Sequence, residues 1–139
     1  MDEIHDLRRP FTFAGIHVPS VPPEALGDWA FLRAHGVRFA YACGSMANGI
    51  GSCEVVEAMA RAGMLGFFGA AGLSAARVEQ AVSRLQSSVG GLPHGFNLIH
   101  SPNEPRLEAE VAELYLRRGV RLVEASAFLG LTPPIVRYR

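Results

Sequence analysis

Three stretches of this 139-residue chain set polar or bare residues at the end of an apolar run, the place where α/β folds keep their chemistry. The first is the turn Gly44-Ser45-Met46-Ala47-Asn48-Gly49-Ile50-Gly51. A dinucleotide site here would read G-x-G-x-x-G, with an acidic residue about 20 positions on. The glycine spacing differs, and the next apolar run ends in Gly69-Ala70-Ala71-Gly72 without an acid, which argues against a nucleotide fingerprint. Small residues at two successive strand ends leave backbone bare enough for a flat ring to lie on it. The alternative is that they are merely tight turns.

The second stretch is HGFNLIHSPNEP, containing Asn97 and His100. With Phe96 and Leu98 facing covering helices, a period of two turns Asn97 to the opposite face. A carboxamide there needs partners, which a ligand with a mixed donor and acceptor edge would supply. His100 stands at the strand end where barrel active sites form. Its imidazole can titrate near neutral pH and act as an acid, or it caps local backbone or faces water. The third stretch is Val120 to Ala127. If Val123, Ala125 and Ala127 face outward, Leu122, Glu124 and Ser126 face inward. An interior carboxylate is costly unless paired or used, so Glu124 either serves a site or bridges to Arg121 or Arg137. Glu104, Glu108, Glu110, Glu113, Arg106, Arg117 and Arg118 read as solvated helix faces.

The elements that position these residues follow from periodicity. The segment Arg38 to Gly69 reads as one strand-helix-strand unit. The strand spans Val37 to Cys43, and Ser52 caps a helix over Cys53 to Ala62 with Val55, Val56, Met59 and Ala60 on one face. Gly63 closes that helix, and Met64 to Gly69 is the next, buried strand. A second helix runs from after Ser74 to Ser88, with Val78, Val82 and Leu85 as its stripe. His94 to Ile99 is strand three. The helix after SPNEP buries Leu107, Val111, Leu114 and Tyr115, and Val120 to Ala127 is strand four. Residues 1–36 form a proline-rich lead-in, with a short helix at Glu24 to Ala34 and Trp29 and Phe31 as packing anchors. The tail LTPPIVRYR has no assignment. The fold class is therefore α/β, a parallel βαβαβαβ sheet that is either a small doubly wound sheet or the first half of a (β/α)8 barrel.

Composition excludes several functions. Apolar residues make up 49% of the chain and the formal net charge is zero, which disfavours disorder and a general nucleic-acid surface. All 13 basic residues are Arg, so a Schiff-base or P-loop lysine is excluded. No apolar run is long enough to span a bilayer, and the start MDEIHD is unlike a secretory signal. The protein is expected to be cytoplasmic, without membrane or nucleic-acid partners. Cys43 and Cys53 match no zinc or redox spacing and are expected to be reduced and structural, with no metal site.

Taken together, AYACGSMANGIGS, EAMARAGMLGFFGAAGLS, GFNLIHSPNEP, LYLRRGVRLVEASAF and LTPPIVRYR resemble the N-terminal part of the PfaD family. These are the trans-acting enoyl reductases of polyunsaturated fatty acid and polyketide synthases, similar in fold to nitronate monooxygenases. The resemblance covers Gly36 to Arg139. It implies an FMN-binding TIM barrel in which NAD(P)H reduces the flavin, and the flavin reduces an enoyl thioester carried on an acyl carrier protein among synthase components. Carried over residue by residue, Gly44, Ser45 and Met46 lie against the flavin ring and Asn97 meets its polar edge. His100 and Glu124 line the same mouth as candidate catalytic groups. In the family pattern an Ala is commoner where Ser45 and Gly51 stand here.

On this reading residues 37–139 are a flavin-binding half-barrel. The phosphate of FMN in such barrels is held by loops after strands seven and eight, beyond the four strands seen here. The chain by itself is therefore expected to be inactive, and to self-associate or require a C-terminal half. The alternatives are a catalytically inactive fragment, a subunit that completes a barrel, or a free-standing flavodoxin-like domain for a small ligand.

Overall fold

The computed structural model describes residues 11–139; the acidic opening MDEIHD lies outside the described residues. Strands β1 (Phe11–Phe13) and β2 (Ile16–Val18) form an antiparallel hairpin. Its two-residue loop, Ala14-Gly15, has φ of 48° and 78°, the positive values that match the twist of the flanking strands. Three-residue strands are too short to show a period, so patterning gives no sign of them. The expected helix from Glu24 to Ala34 is divided into a 3-10 turn at Pro23–Ala25 and helix α1 (Trp29–His35). Gly27 breaks it with φ 86°, and Asp28 caps α1 by accepting the Ala30 N–H at 2.7 Å. Trp29 is not the expected anchor: it is 64% exposed. Phe31 is half-buried and its ring lies 4.5 Å from that of His35.

Strands β3 (Ala42–Cys43), β4 (Leu65–Phe68), β5 (Gly95–Ile99) and β6 (Val123–Ser126) form one sheet, all neighbours parallel and in sequence order. Helices α2 (Cys53–Arg61), α3 (Ala75–Ser88) and α4 (Pro105–Arg117) connect them, and α5 (Pro133–Tyr138) follows β6. Right-handed crossovers between strands laid down in order place every connecting helix on the same face. A flavodoxin-like sheet needs an order that reverses about its first strand. This order has no reversal, which removes the flavodoxin-like alternative and leaves the half-barrel.

The sheet is strongly curled. Ser45, just after β3, donates its N–H to Glu124 Oε2 on β6 at 2.6 Å. In a flat sheet the outer strands of four would stand roughly 14 Å apart at the usual spacing, beyond the reach of one glutamate. The concave face must therefore bring the two outer strands toward each other, as a barrel wall does.

The convex face holds the core. Val56, Val78, Val82, Leu85, Phe96, Leu98, Leu114 and Tyr115 are each at most 2% exposed, and the expected stripes of all three helices face inward. Ser52 Oγ accepts the Val55 N–H at 3.4 Å, and Gly63 ends α2 with φ 76°. Arg84 on α3 bridges Glu54 and Glu57 on α2 at 2.6 and 3.0 Å. Removing the cap with Ser52→Ala is expected to lower stability by about 0.5–1 kcal/mol, read from the urea midpoint. The long hydrogen bond puts the effect at the lower end of the range for caps, and no change in midpoint would show that the cap contributes nothing.

Two strands are shorter than expected. Val37 to Tyr41 crosses the end of α2, where the N–H groups of Arg38 and Phe39 both reach Gly63 O at 2.8 and 3.1 Å. Ladder pairing begins only at Tyr41 O, which accepts from Leu65 N. At the other end Val120 closes α4 by donating to Tyr115 O at 2.9 Å, and its own carbonyl accepts from Tyr138 Oη at 2.8 Å. Ala127 stops β6 with φ 61°. The unassigned tail is α5, with Pro133 and Pro134 in its first turn, where their missing N–H groups cost nothing.

Candidate functional site

All four strands end on the same rim, and three of the sequence-derived groups meet there. Asn97 on β5 stands opposite Glu124 on β6. Its Nδ2 donates to Glu124 O at 3.1 Å and to Ser126 Oγ at 2.8 Å. Tyr115 on α4 holds the backbone of the same residue, donating its phenol to Asn97 O at 2.8 Å. Burial, with a smaller contribution from Tyr138, pushes the Tyr115 phenol far up, so it stays a donor. Glu124 links this pair to the loop after β3: Oε2 takes the Ser45 N–H, and a Cβ built on Gly44 would stand 3.4 Å from Oε1. Gly44, Ser45, Asn97 and Glu124 are therefore one cluster on the concave face, with Met46 beside them at 41% exposure. The salt bridge considered for Glu124 is not made with Arg137, which pairs with Glu113.

The loop itself is held by glycines. Asn48 N–H donates to Ala71 O at 2.7 Å, Gly49 N–H to Gly69 O at 2.9 Å and Gly69 N–H to Gly51 O at 2.9 Å. A Cβ on Gly69 would overlap the Met46 carbonyl, and one on Gly51 would come within 2.9 Å of Met46 N. Gly51 and Gly69 are thus occupied in docking the loop onto the end of β4, which corrects the idea that both glycine runs offer bare backbone to a ring. Gly44 and Met46 are exposed and Ser45 is half-buried, so this arm of the loop stays accessible.

His100 is elsewhere. The period of two that turns Asn97 inward turns His100 toward α4, where Nδ1 lies 2.9 Å from Glu108 Oε2 and the ring packs 5.4 Å from that of Phe128. Among the described residues no hydrogen bond joins it to Glu124. Glu108 is the residue missed: it is 5% exposed, not a solvated helix face. It accepts from Ser101 N–H at 2.9 Å and Thr132 Oγ1 at 3.1 Å besides its contact with His100. The signal was its position, since 108, 111, 112 and 115 fall on one helical stripe. Burial pushes the Glu108 carboxyl up, but the Ser101, His100 and Thr132 hydrogen bonds and the charge of His100 together outweigh it and hold it below the usual 4.5.

Cys43 and Cys53 are both free thiols, the second in the core. Among the described residues no group of three His, Cys, Asp or Glu could hold a metal, and no helix is long and apolar enough to cross a membrane. A cavity of about 530 Å³ opens at the opposite end of the strands, lined among others by His35, His94, Phe96 and Arg121; it touches none of the rim cluster. The rim fits a flat heteroaromatic ring with a polar edge on two observations. Gly44 leaves the approach to Glu124 unobstructed by a side chain. Asn97, 3% exposed, uses both amide protons internally, and no hydrogen bond is made to its Oδ1 among the described residues.

No family model matches the chain. It is 43% identical over 120 residues to polyketide biosynthesis protein PksE of Bacillus subtilis (strain 168), covering 86% of this chain and 16% of that protein. It is 45% identical over 114 residues to one component of the polyunsaturated fatty acid synthase of Thraustochytrium sp., covering 82% of this chain and 8% of that protein. Its fold superposes on the enoyl reductase domain of MlnA, from the macrolactin biosynthesis cluster of Bacillus amyloliquefaciens, with a TM-score of 0.78 and 37% identity over 81% of this chain and 26% of that chain. The chain thus spans about a sixth or less of the curated relatives it matches. Over that span the likeness read from the sequence motifs is borne out.

Proposed function

We propose that this chain, similar over its matched length to enoyl reductases of the PfaD type, supplies the flavin-facing rim of an FMN-dependent enoyl reductase serving polyketide or polyunsaturated fatty acid synthesis in the cytoplasm. The observation that carries this reading is the Ser45–Glu124–Asn97 linkage. It gathers one bare loop, one carboxylate and one polarised amide, drawn from three strand ends, on the concave side of a curled sheet. Gly44, Ser45 and Met46 would lie along the ring and Asn97 would meet its polar edge. Bound FMN supplies the redox chemistry, taking hydride from NAD(P)H and giving it to an enoyl thioester on an acyl carrier protein. The protein's part is orientation: Glu124 holds the Gly44 to Met46 arm through Ser45 and keeps a second oxygen toward the site. We assign no proton transfer to His100, which faces α4, and give it a structural role with Glu108.

Among the described residues, the sheet's outer strands β3 and β6 each pair on one side only. That observation favours the reading in which further strands, from the same or another polypeptide, complete the barrel before turnover. The test is titration of the purified chain with FMN, followed by quenching of flavin fluorescence. Saturable quenching is expected, with affinity reduced about tenfold by Asn97→Ala, a loss of about 1.4 kcal/mol. Absence of quenching, or an Asn97→Ala variant that binds as the parent does, would sink the assignment. Oxidation of NAD(P)H with a crotonyl thioester by this chain alone would show that no further strands are needed.

A further inference from the structure

We infer that Ser126 is a positioning residue for Asn97: it fixes the carboxamide so that the rim offers what binds there a hydrogen-bond acceptor and no amide donor. A backbone carbonyl can only accept, so the contact with Glu124 O requires that Nδ2, not Oδ1, face β6. That bond alone leaves the second amide proton free. Ser126, two residues beyond Glu124 and on the same face of β6, takes it at 2.8 Å, which is the diagonal neighbour position for a cross-strand pair. With both protons used, Oδ1 is the group left over. Among the described residues no fully buried side-chain oxygen or nitrogen lacks a partner, so Oδ1 reaches the surface of the rim. Glu124 adds a second acceptor next to it, since Oε2 is taken by Ser45 and Oε1 lies over Gly44.

The ligand edge selected is therefore one carrying an N–H. Only the identity of that ligand as a flavin rests on the reading above; the polarity of the amide does not. The chain contains three asparagines, Asn48, Asn97 and Asn103, and the other two are exposed, which gives an internal standard for amide exchange.

The experiment is side-chain amide NMR on the nitrogen-15 labelled chain and its Ser126→Ala and Ser126→Thr variants. In the parent both Asn97 amide protons are expected to exchange at least about tenfold more slowly than those of Asn103. Ser126→Ala should release one of the two, and Ser126→Thr, which keeps the hydroxyl, should restore it. Equal rates for Asn97 and Asn103, or a Ser126→Ala variant with both protons still slow, would overturn the inference. Titration with FMN forms the second arm: Ser126→Ala is expected to bind several-fold more weakly and Ser126→Thr to bind as the parent. Loss of amide protection without loss of affinity would overturn the positioning role. If the parent itself takes no FMN, the flavin reading fails, and the exchange rates alone decide the inference about Ser126.

Discussion

Replacing Glu108 by alanine is expected to lower stability by about 3 kcal/mol, because it removes one carboxylate that serves three donors at once. Ser101 N–H, His100 and Thr132 belong to the β5–α4 turn and to the segment entering α5, and all three converge on the same buried group. The effect should depend on pH. The folded carboxyl titrates below its usual 4.5, so the folded chain binds fewer protons than the unfolded chain across that interval. The stabilisation is fully present above the unfolded value and is lost as pH falls through the folded one. Glu108→Gln keeps the shape but not the charge. Urea midpoints of parent and Glu108→Gln are expected to differ most above the unfolded value of 4.5 and to draw together as pH falls through the lower folded value. A gap that does not narrow as pH falls below 4.5 would mean that the carboxylate's charge contributes nothing to stability.

The same residue shows where sequence reading stops. The stripes of α2, α3 and α4 were legible because each helix buries one apolar face at a period near 3.6, and β4 and β5 because they are apolar on both sides. Glu108 lies on such a stripe. It reads as solvated by residue type, and only its three donors explain why the charge is tolerated inside. The ends of β3 and β6 were overestimated for a related reason. Val37 to Tyr41 and Val120 to Leu122 are strand-like in composition, but the N–H groups of Arg38 and Phe39 go to Gly63 O at the end of α2 and that of Val120 goes to Tyr115 O in the last turn of α4, so sheet pairing starts only at the carbonyls of Tyr41 and Leu122. α5 was invisible because two prolines resemble a break. At the site, the alternation along β5 and β6 correctly set Asn97, Glu124 and Ser126 on one face. The contact from Ser45 to Glu124 joins residues 79 apart and exists only because the sheet curls, a property of the assembled layers that no local pattern carries.

Gly69→Ala is expected to be the most damaging single methyl that can be added to the rim. Gly69 does not have a positive φ, so the argument is one of space. A Cβ there would overlap the Met46 carbonyl oxygen and carbon, which are backbone atoms that no rotamer change can move. The loop from Gly44 to Gly51 would have to lift off the end of β4, giving up Gly49 N–H to Gly69 O and Gly69 N–H to Gly51 O. Overpacking of this kind costs about 1–3 kcal/mol or more, and the displaced loop carries Ser45 away from Glu124. Stability and flavin affinity should therefore fall together, the affinity by more than about tenfold. Gly44→Ala supplies the contrast. Its Cβ would meet Glu124 Oε1 at 3.4 Å, the movable end of a side chain, so the fold should stay within about 0.5 kcal/mol of the parent while affinity drops, because the methyl occupies the face where the ring would lie. Were the two variants equally unstable, Gly44 would be a packing residue and the open arm of the loop would have no claim to a ligand. Were Gly69→Ala as stable as the parent, the docking of this loop onto β4 could not be what holds Ser45 in place.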